Sequence, residues 1–533
     1  MVPTAFPSLG IEHGKRILTA VIEQRAKNDS DSAWVSVPVD ERNLSLGYRD
    51  ITFWQLNNAA NHAAHWLSRN LPTSEPFQCF AYAGPKDLRY AILAVAAAKV
   101  QKVMVLISPL VTAKAQLRIC EGIGCTLYLR PVEMAVPVAG VLDGISHIQT
   151  ITVPALDQFL IEEEAGPVNY PKSWVEGKND PCNFGTGNPK PITYTHQMMA
   201  GVDVAASLDD VEETHIHQYM QRRWYTPLPS LHFVGMLLVL SMTTFLNMTA
   251  VIGPSEPPSP DGITNVLRYG YVEGALLPPA LIDGLCLSSA GLQALRDLKY
   301  IHYAGAPLSE KSGKLLIPHV HVVPCIGSTE AGGYFTIIHN KSDAWNYVSF
   351  QKHAGAIFEK RMGDLHELVF VRDPNCAMQQ IFSVYSDRDR FETKDLWVEH
   401  PTHKGLWKIV GRSDDYVCFS HGDGLHASLL EPEITAHPHV RNALIGGNGR
   451  PAPVLLVELV ESLDNVEARK ALIEELRPYV EKVNLKCHES VQVSLDRAVI
   501  ASREKPFITT IKGSVARLQT LNLYEDEIAA LFP

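Results

Sequence analysis

The chain has 533 residues, 46% hydrophobic and 20% charged, with a formal net charge of -11 at pH 7. That length exceeds a single ordinary core and suggests roughly three or four folding units, while the composition excludes a disordered chain. The acidic balance, without a long basic run or basic residues interleaved with aromatics, excludes a general nucleic-acid binder but leaves room for small anions held by local cations.

Met1–Gly10 has no apolar stretch of signal-peptide length. Phe53–Ser68 has the spacing of an amphipathic helix, Phe77–Ala83 reads as a strand, Asp87–Lys99 as a small-residue helix and Lys102–Ile107 as a buried strand. This alternation is α/β grammar. The nine cysteines are scattered, odd in number and without a CxxC pair, which fits a reducing cytoplasm and buried thiols better than a disulfide framework or a zinc site.

Residues 183–190, Asn-Phe-Gly-Thr-Gly-Asn-Pro-Lys, gather the parts of a phosphate cradle: Gly185 and Gly187 can present backbone N–H groups, Thr186 a hydroxyl and Lys190 a positive charge. The spacing fits neither the nucleoside triphosphatase loop nor the dinucleotide fingerprint, and an ordinary Gly/Pro turn is the alternative. A polar helical region with His215 and His217 follows. From Phe233 to Gly253 about twenty residues carry no charge, the length of a membrane span. Gly235, Ser241, Thr243, Thr244, Asn247 and Thr249 dilute that segment and no basic cluster flanks it, so a buried helix running into a strand is expected.

Residues 253–260 read as a rigid surface loop. Beyond about residue 410 the texture changes: a turn-rich stretch, Gly411–Gly424, leads to Leu429–His437, a strand at Val454–Leu459 and a helix over Asn465–Lys482. The stretch reads as a hinge between a large domain, 1–411, and a small one, 412–533. The histidine pairs His62/His65, His215/His217, His319/His321 and His437/His439 lack further clustered ligands and read as surface or hydrogen-bonded residues rather than metal sites.

Downstream of the glycine-rich loop come, in order, Gly327-Ser328-Thr329-Glu330, Thr393-Lys394-Asp395-Leu396, Gly411-Arg412-Ser413-Asp414-Asp415 and the run Thr509–Arg517 around Lys512. With these motifs the chain resembles the adenylate-forming (AMP-binding) superfamily, closest to the adenylation domains of fungal synthetase-like carboxylate reductases, over essentially its whole length. The resemblance implies a large N-terminal domain of β-sheets flanked by helices and a small, mobile α+β C-terminal domain. It implies activation of a carboxylic acid by ATP and Mg2+ to an acyl-adenylate.

Carried over residue by residue, Lys512 would bridge the carboxylate and the α-phosphate, and Glu330, preceded by Thr329, would hold magnesium. A Ser-Thr-Glu helix cap is the plain alternative there. Gly185, Thr186, Gly187 and Lys190 would meet the phosphates, and Gly305, Ala306 and Ile326 the adenine. Asp395 would accept hydrogen bonds from the ribose hydroxyls, Arg412 would reach the same ribose or the phosphate, and Asp414 matches the hinge about which the small domain swaps Lys512 out of the site. The segment Pro229-Ser230-Leu231-His232-Phe233-Val234-Gly235 resembles that of enzymes acting on acids without an amino group, which places His232 beside an aryl, keto or aliphatic substrate.

Several positions depart from the family pattern. Phe184 stands where a glycine is usual, two loop hydroxyls are missing, Ile326 replaces an aromatic and Lys394 replaces a glycine. Each change is expected to weaken nucleotide binding, at on the order of 1 kcal/mol per lost hydrogen bond. The last motif lies close to Pro533, so the acyl acceptor is expected from outside, as CoA or the phosphopantetheine of a separate carrier protein. The altered loop also fits a second class, a catalytically impaired relative acting as a binding or partner module.

Overall fold

The computed structural model describes residues 13–72, 76–107, 113–134, 148–186, 191–208, 214–421, 423–461, 463, 465–509 and 515–532. The chain divides into two compact units, one of residues 1–355 and 371–389, the other of 356–370 and 390–533.

The first unit is built on two parallel sheets, each closed by one antiparallel edge strand. The seven-stranded sheet runs in the order His321–Pro324, Tyr300–Tyr303, Gly274–Leu277, Arg223–Tyr225, Thr249–Val251, Ala33–Pro38, Tyr48–Thr52, the last pairing antiparallel. The six-stranded sheet runs Gln149–Val153, Leu127–Pro131, Cys79–Tyr82, Val103–Leu106, Pro181–Thr186, Pro191–Thr195, again with an antiparallel last pair. Cys79–Tyr82, Val103–Leu106 and Gly274–Leu277 are buried at every residue, as strands covered on both faces must be.

The helices follow from local chemistry. Phe53–Asn70 begins at a capping box in which Thr52 and Gln55 satisfy each other's backbone N–H. Arg89–Lys99 is buried throughout because five alanines let it pack closely. Its end carries a buried charge, Lys99, held by Glu23 at 2.9 Å and by Asn57 and Asn61 at 2.8 Å each. The charge-free segment is a buried helix in three joined pieces, Phe233–Met236, Leu237–Met242 with wider π-type turns, and Thr243–Leu246, which runs into the strand Thr249–Val251. No helix among the described residues is long and apolar enough to cross a membrane. The proline-rich loop ends as Ser259 caps the helix Pro260–Tyr269 through the Gly262 N–H at 3.1 Å, with Pro260 at the first helical position.

The second unit holds a four-stranded sheet in the order Ala356–Met362, Leu365–Val371, Arg390–Glu399 and Trp407–Arg412, its first and last pairs antiparallel. The 411/412 boundary expected from sequence falls at the end of its fourth strand. A hairpin, Tyr416–Cys418 with Gly424–His426, follows, then a three-stranded sheet of Val440–Gly446, Val454–Leu459 and Ala498–Ile500 with helices on it. The helix expected over Asn465–Lys482 is two, Val466–Glu475 and Arg477–Asn484, the break falling where Pro478 has no N–H to continue the ladder.

Candidate functional site

In the first unit the candidate residues lie at strand ends and the turns that leave them. The glycine-rich segment, read as a loop, is a strand for its first half: Phe184 pairs with Thr193, Gly185 with Ile192 and Thr186 with Pro191. Its backbone is committed to the ladder because Asn183 and Phe184 also pair with Met104 and Val105 of the neighbouring strand. Gly187 and Lys190 lie outside the described residues.

Glu330 does not follow a helix cap. Gly327–Ser328 and Gly332–Gly333 form a short antiparallel ladder, and Thr329, Glu330 and Ala331 turn between them. Ser328 Oγ accepts the Ala331 N–H at 3.1 Å and the Ile326 carbonyl accepts the Tyr334 N–H at 2.8 Å. Glycine is required in this hairpin: a Cβ on Gly327 would lie 2.3 Å from the Gly332 carbonyl oxygen. Gly332 has φ +73°, and a Cβ there would lie 2.1 Å from Gln380 Oε1. Glu330 is half-buried and has no ion-pair partner among the described residues, a donor that suits a hard divalent cation.

His232 precedes the helix Phe233–Met236, whose start is fixed by Pro229 O accepting the His232 N–H at 2.9 Å. Gly235 lets the Pro229 turn lie against that helix, since a Cβ would come within 2.2 Å of the Pro229 oxygen. Phe233 packs on Tyr194, ring centroids 4.4 Å apart. Tyr194 stands directly across the ladder from Asn183, so both side chains share one face. The Tyr194 hydroxyl and Asn183 Oδ1 are buried without a hydrogen-bond partner among the described residues. Burial raises the Tyr194 phenol well above its ordinary range, and the Glu330 carboxylate and Cys182 raise it further. Burial and then Glu330 also raise Tyr385. Tyr194 thus links the acid segment, the glycine-rich hairpin and the Glu330 turn. No motif pointed to it, and its only signal in the sequence was its place four residues beyond Lys190.

Gly305 and Ala306 follow the strand Tyr300–Tyr303, and Ile326 follows the adjacent parallel strand His321–Pro324, in register Tyr303 to Pro324. All three therefore sit at the carboxyl edge of the sheet, where open parallel sheets bind ligands. Gly305 has φ +96°. Beneath them is an uncharged network. His302 Nε2 donates to Gln218 Oε1 at 2.7 Å, leaving Nδ1 to accept from the Tyr219 hydroxyl at 2.8 Å. Tyr219 stacks on Trp224 at 4.0 Å, and the Cys325 thiol lies within hydrogen-bond reach of its hydroxyl. Burial holds His302 well below its ordinary range and His215, bonded to Thr336 at 3.1 Å, at about 4.

In the second unit the register sets Asp395 directly across from Arg412, whose Nη1 donates to Asp395 Oδ1 at 3.1 Å. Asp395 takes the Thr393 hydroxyl as acceptor for its own N–H at 3.1 Å. Lys394, at the family's glycine position, has φ +62°, a left-handed conformation that costs a residue with a Cβ about 1 kcal/mol. Its N–H is held by Glu367 Oε1 at 3.1 Å. Asp414 lies in the turn Ser413–Asp415. Lys512 lies outside the described residues, between Thr509 and Val515, which form an antiparallel bridge.

Two family descriptions match the sequence: AMP-binding enzyme over residues 24–357 and AMP-binding enzyme C-terminal domain over 414–533. The chain belongs to the AMP-binding enzyme family. Within this family it is related to the fungal reductases. It is 29% identical over 538 residues to a carboxylic acid reductase of Neurospora crassa, covering 98% of this chain and 51% of that protein. It is 26% identical to an isocyanide synthase–NRPS hybrid of Aspergillus fumigatus, covering 98% of this chain and 34% of that protein. The chain thus spans about half, or less, of these relatives. The AMP-binding fold is shared with ATP-bound MatB from Rhodopseudomonas palustris, at TM-score 0.70 and 15% identity, covering 97% of this chain and all of that one. It is also shared with an anthranilate CoA ligase in complex with anthranoyl-AMP, at TM-score 0.70 and 14% identity, covering 98% of each chain.

Proposed function

We propose that the chain activates a carboxylic acid without an α-amino group, using ATP. A carboxylate oxygen forms a bond to the α-phosphorus, the bond to the β-phosphate oxygen breaks, and acyl-adenylate and pyrophosphate result. The observation that carries this reading is the convergence on Tyr194 of the glycine-rich hairpin, the Glu330 turn and the His232–Phe233 segment.

Two anions must approach each other in such a step, so positioned positive charge and excluded water do most of the work. Lys512 and Lys190 supply charge, Gly185 and Thr186 begin the phosphate hairpin, and Gly305, Ala306 and Ile326 border the adenine. Asp395 and Arg412 hold the ribose, and His232 lies by the acid. Glu330, with Thr329 beside it, would hold Mg2+, which when bound neutralises phosphate charge. The acceptor of the acyl group is the thiol of CoA or of a phosphopantetheine carrier, in keeping with the CoA ligase and the reductase among the proteins similar to this chain. The scattered thiols favour a reducing compartment, the cytoplasm, as its place.

One observation favours a second reading, an impaired relative that binds without turnover: Asp395 is already engaged by Arg412, next to a strained Lys394. Acid-dependent exchange of labelled pyrophosphate into ATP, over a panel of carboxylic acids, decides between the two. The first expects exchange with at least one aryl, keto or aliphatic acid and a loss of about 100-fold or more in Lys512→Ala. Absence of exchange with every acid, together with absence of ATP binding, overturns the first.

A further inference from the structure

The last motif contains a charged residue to which the acid-activating reading gives no task. Arg517 opens the helix Arg517–Leu523, and its guanidinium meets three acceptors. Nε donates to Asp415 Oδ1 at 3.2 Å, Nη1 to the Ile445 carbonyl at 3.2 Å, and Nη2 to Glu431 Oε2. The other Glu431 oxygen accepts the Ile445 N–H at 2.5 Å. The side chains are largely covered, with 18% of Arg517, 21% of Asp415 and 10% of Glu431 exposed. Such a planar fork holds direction as well as distance, which a lysine in its place would not do.

The three acceptors lie on different elements. Asp415 ends the turn Ser413–Asp415, where the hinge residue Asp414 stands. Glu431 lies in the helix Ala427–Thr435 and Ile445 in the strand Val440–Gly446. Arg517 itself is two residues past the bridge Thr509–Val515. That bridge is continued by Ala516, whose N–H donates to Ile508 O at 2.7 Å, and by Thr520, whose hydroxyl accepts the Ile508 N–H at 3.1 Å. The Ile508–Ala516 feet are therefore built into the start of the helix that Arg517 anchors.

We propose that Arg517 is a positioning residue, which ties the feet flanking Lys512 to the hinge turn through Asp415 so that both move as one body. Glu431 and Ile445 hold the fork at the right angle, and Asp415 transmits the hinge. This inference rests on the reading of Lys512 as the residue that acts in adenylate formation.

Asp415→Asn is the discriminating variant, because it removes the charge toward the hinge while Glu431 and Ile445 still hold Arg517. Pyrophosphate exchange is measured with kcat normalised to active enzyme by acyl-adenylate stoichiometry. The expected result is a fall in kcat of about tenfold with the KM for ATP within about twofold, because positioning acts on the transition state rather than on ground-state binding. Arg517→Lys should fall between wild type and Arg517→Ala. The double variant Asp415→Asn/Arg517→Ala should be no worse than Arg517→Ala alone. A wild-type kcat in Asp415→Asn, additive losses in the double variant, or a rise in KM equal to the fall in kcat overturns the proposal. If the wild-type protein exchanges no pyrophosphate with any acid, the acid-activating reading fails separately. The mechanical tie is then judged by hydrogen exchange at the Ala516 amide: lost protection in Asp415→Asn sustains it and wild-type protection overturns it.

Discussion

Beneath the turns at Gly305 and Ile326 the first unit places a buried, uncharged network of His302, Gln218, Tyr219 and Trp224, whereas the second unit braces the turn Ser413–Asp415 with ions, Arg517 between Asp415 and Glu431. Both supports are largely buried and both tie together elements distant in sequence. The neutral one derives its rigidity from ring stacking and from hydrogen bonds with no charge to desolvate. The ionic one keeps direction through a guanidinium fork, at the cost of desolvating a carboxylate. The lesson is that the two units should answer differently to the same change in conditions.

The sharpest way to break this comparison is His302→Leu, which leaves Gln218 Oε1 buried without its donor, the Tyr219 hydroxyl with only the Cys325 thiol, and the space of the imidazole to be refilled. A loss of about 3–5 kcal/mol is expected for the first unit. Hydrogen exchange in peptides around Arg223–Tyr225 and Tyr300–Tyr303 would report it, and unchanged protection there would refute the network's importance.

Next in size is acid sensitivity. His215 and His302 are bases whose folded values are depressed by burial, so the stability they contribute is present above about 6.5 and falls as the pH drops toward 4. His215 alone accounts for a loss on the order of 3 kcal/mol. Denaturant titrations of the first unit at pH 7 and pH 4.5 measure this, and His215→Gln should flatten the dependence.

Smaller, and of opposite sign, is the response of Glu431. Burial raises its carboxyl even against the pull of Arg517, so its contribution is full below 4.5 and falls as the pH rises through the folded value. Glu431→Gln should remove that term from the second unit, seen as a loss of pH dependence in protection of the strand Val440–Gly446. The smallest effect is expected from Lys394→Gly. Relief of the left-handed strain exceeds the added entropy of the unfolded chain by about 0.5 kcal/mol. Thermal denaturation should show a slightly higher midpoint; a lower one would mean that the lysine side chain stabilises the turn.

The α/β class and most elements were legible because period and burial coincide. Val454–Leu459 is the strand that its apolar run, interrupted only by Glu458, implies, and Thr52 and Gln55 cap the helix that Phe53–Ser68 suggested. The 233–253 segment reads correctly as a buried helix and strand because hydroxyls and glycine mark it against lipid. The glycine at the family's position before Asp395 has a visible reason, since its replacement, Lys394, sits at φ +62°. What stayed hidden depends on register over long separations. Nothing local says that Tyr194 meets Phe233, or that Arg517 meets Asp415 about a hundred residues earlier. The ladder commitment of Gly185 and Thr186 was also hidden, because a glycine-rich run resembles a loop until its partner strand is known.

One amide holds two parts of the first unit in a joint volume. A Cβ on Gly201, at the head of the helix Gly201–Ser207, would lie 1.2 Å from Gln380 Nε2, and one on Gly332 would lie 2.1 Å from Gln380 Oε1. The three positions therefore share a single allotment of space between the helix and the Glu330 turn. Both contacts are with the far end of a flexible side chain, so a residue larger than glycine at 201 is met by turning the Gln380 amide or by a shorter residue at 380, whereas one at 332 must also adopt φ +73°; of the three positions, 332 should be the least free to vary.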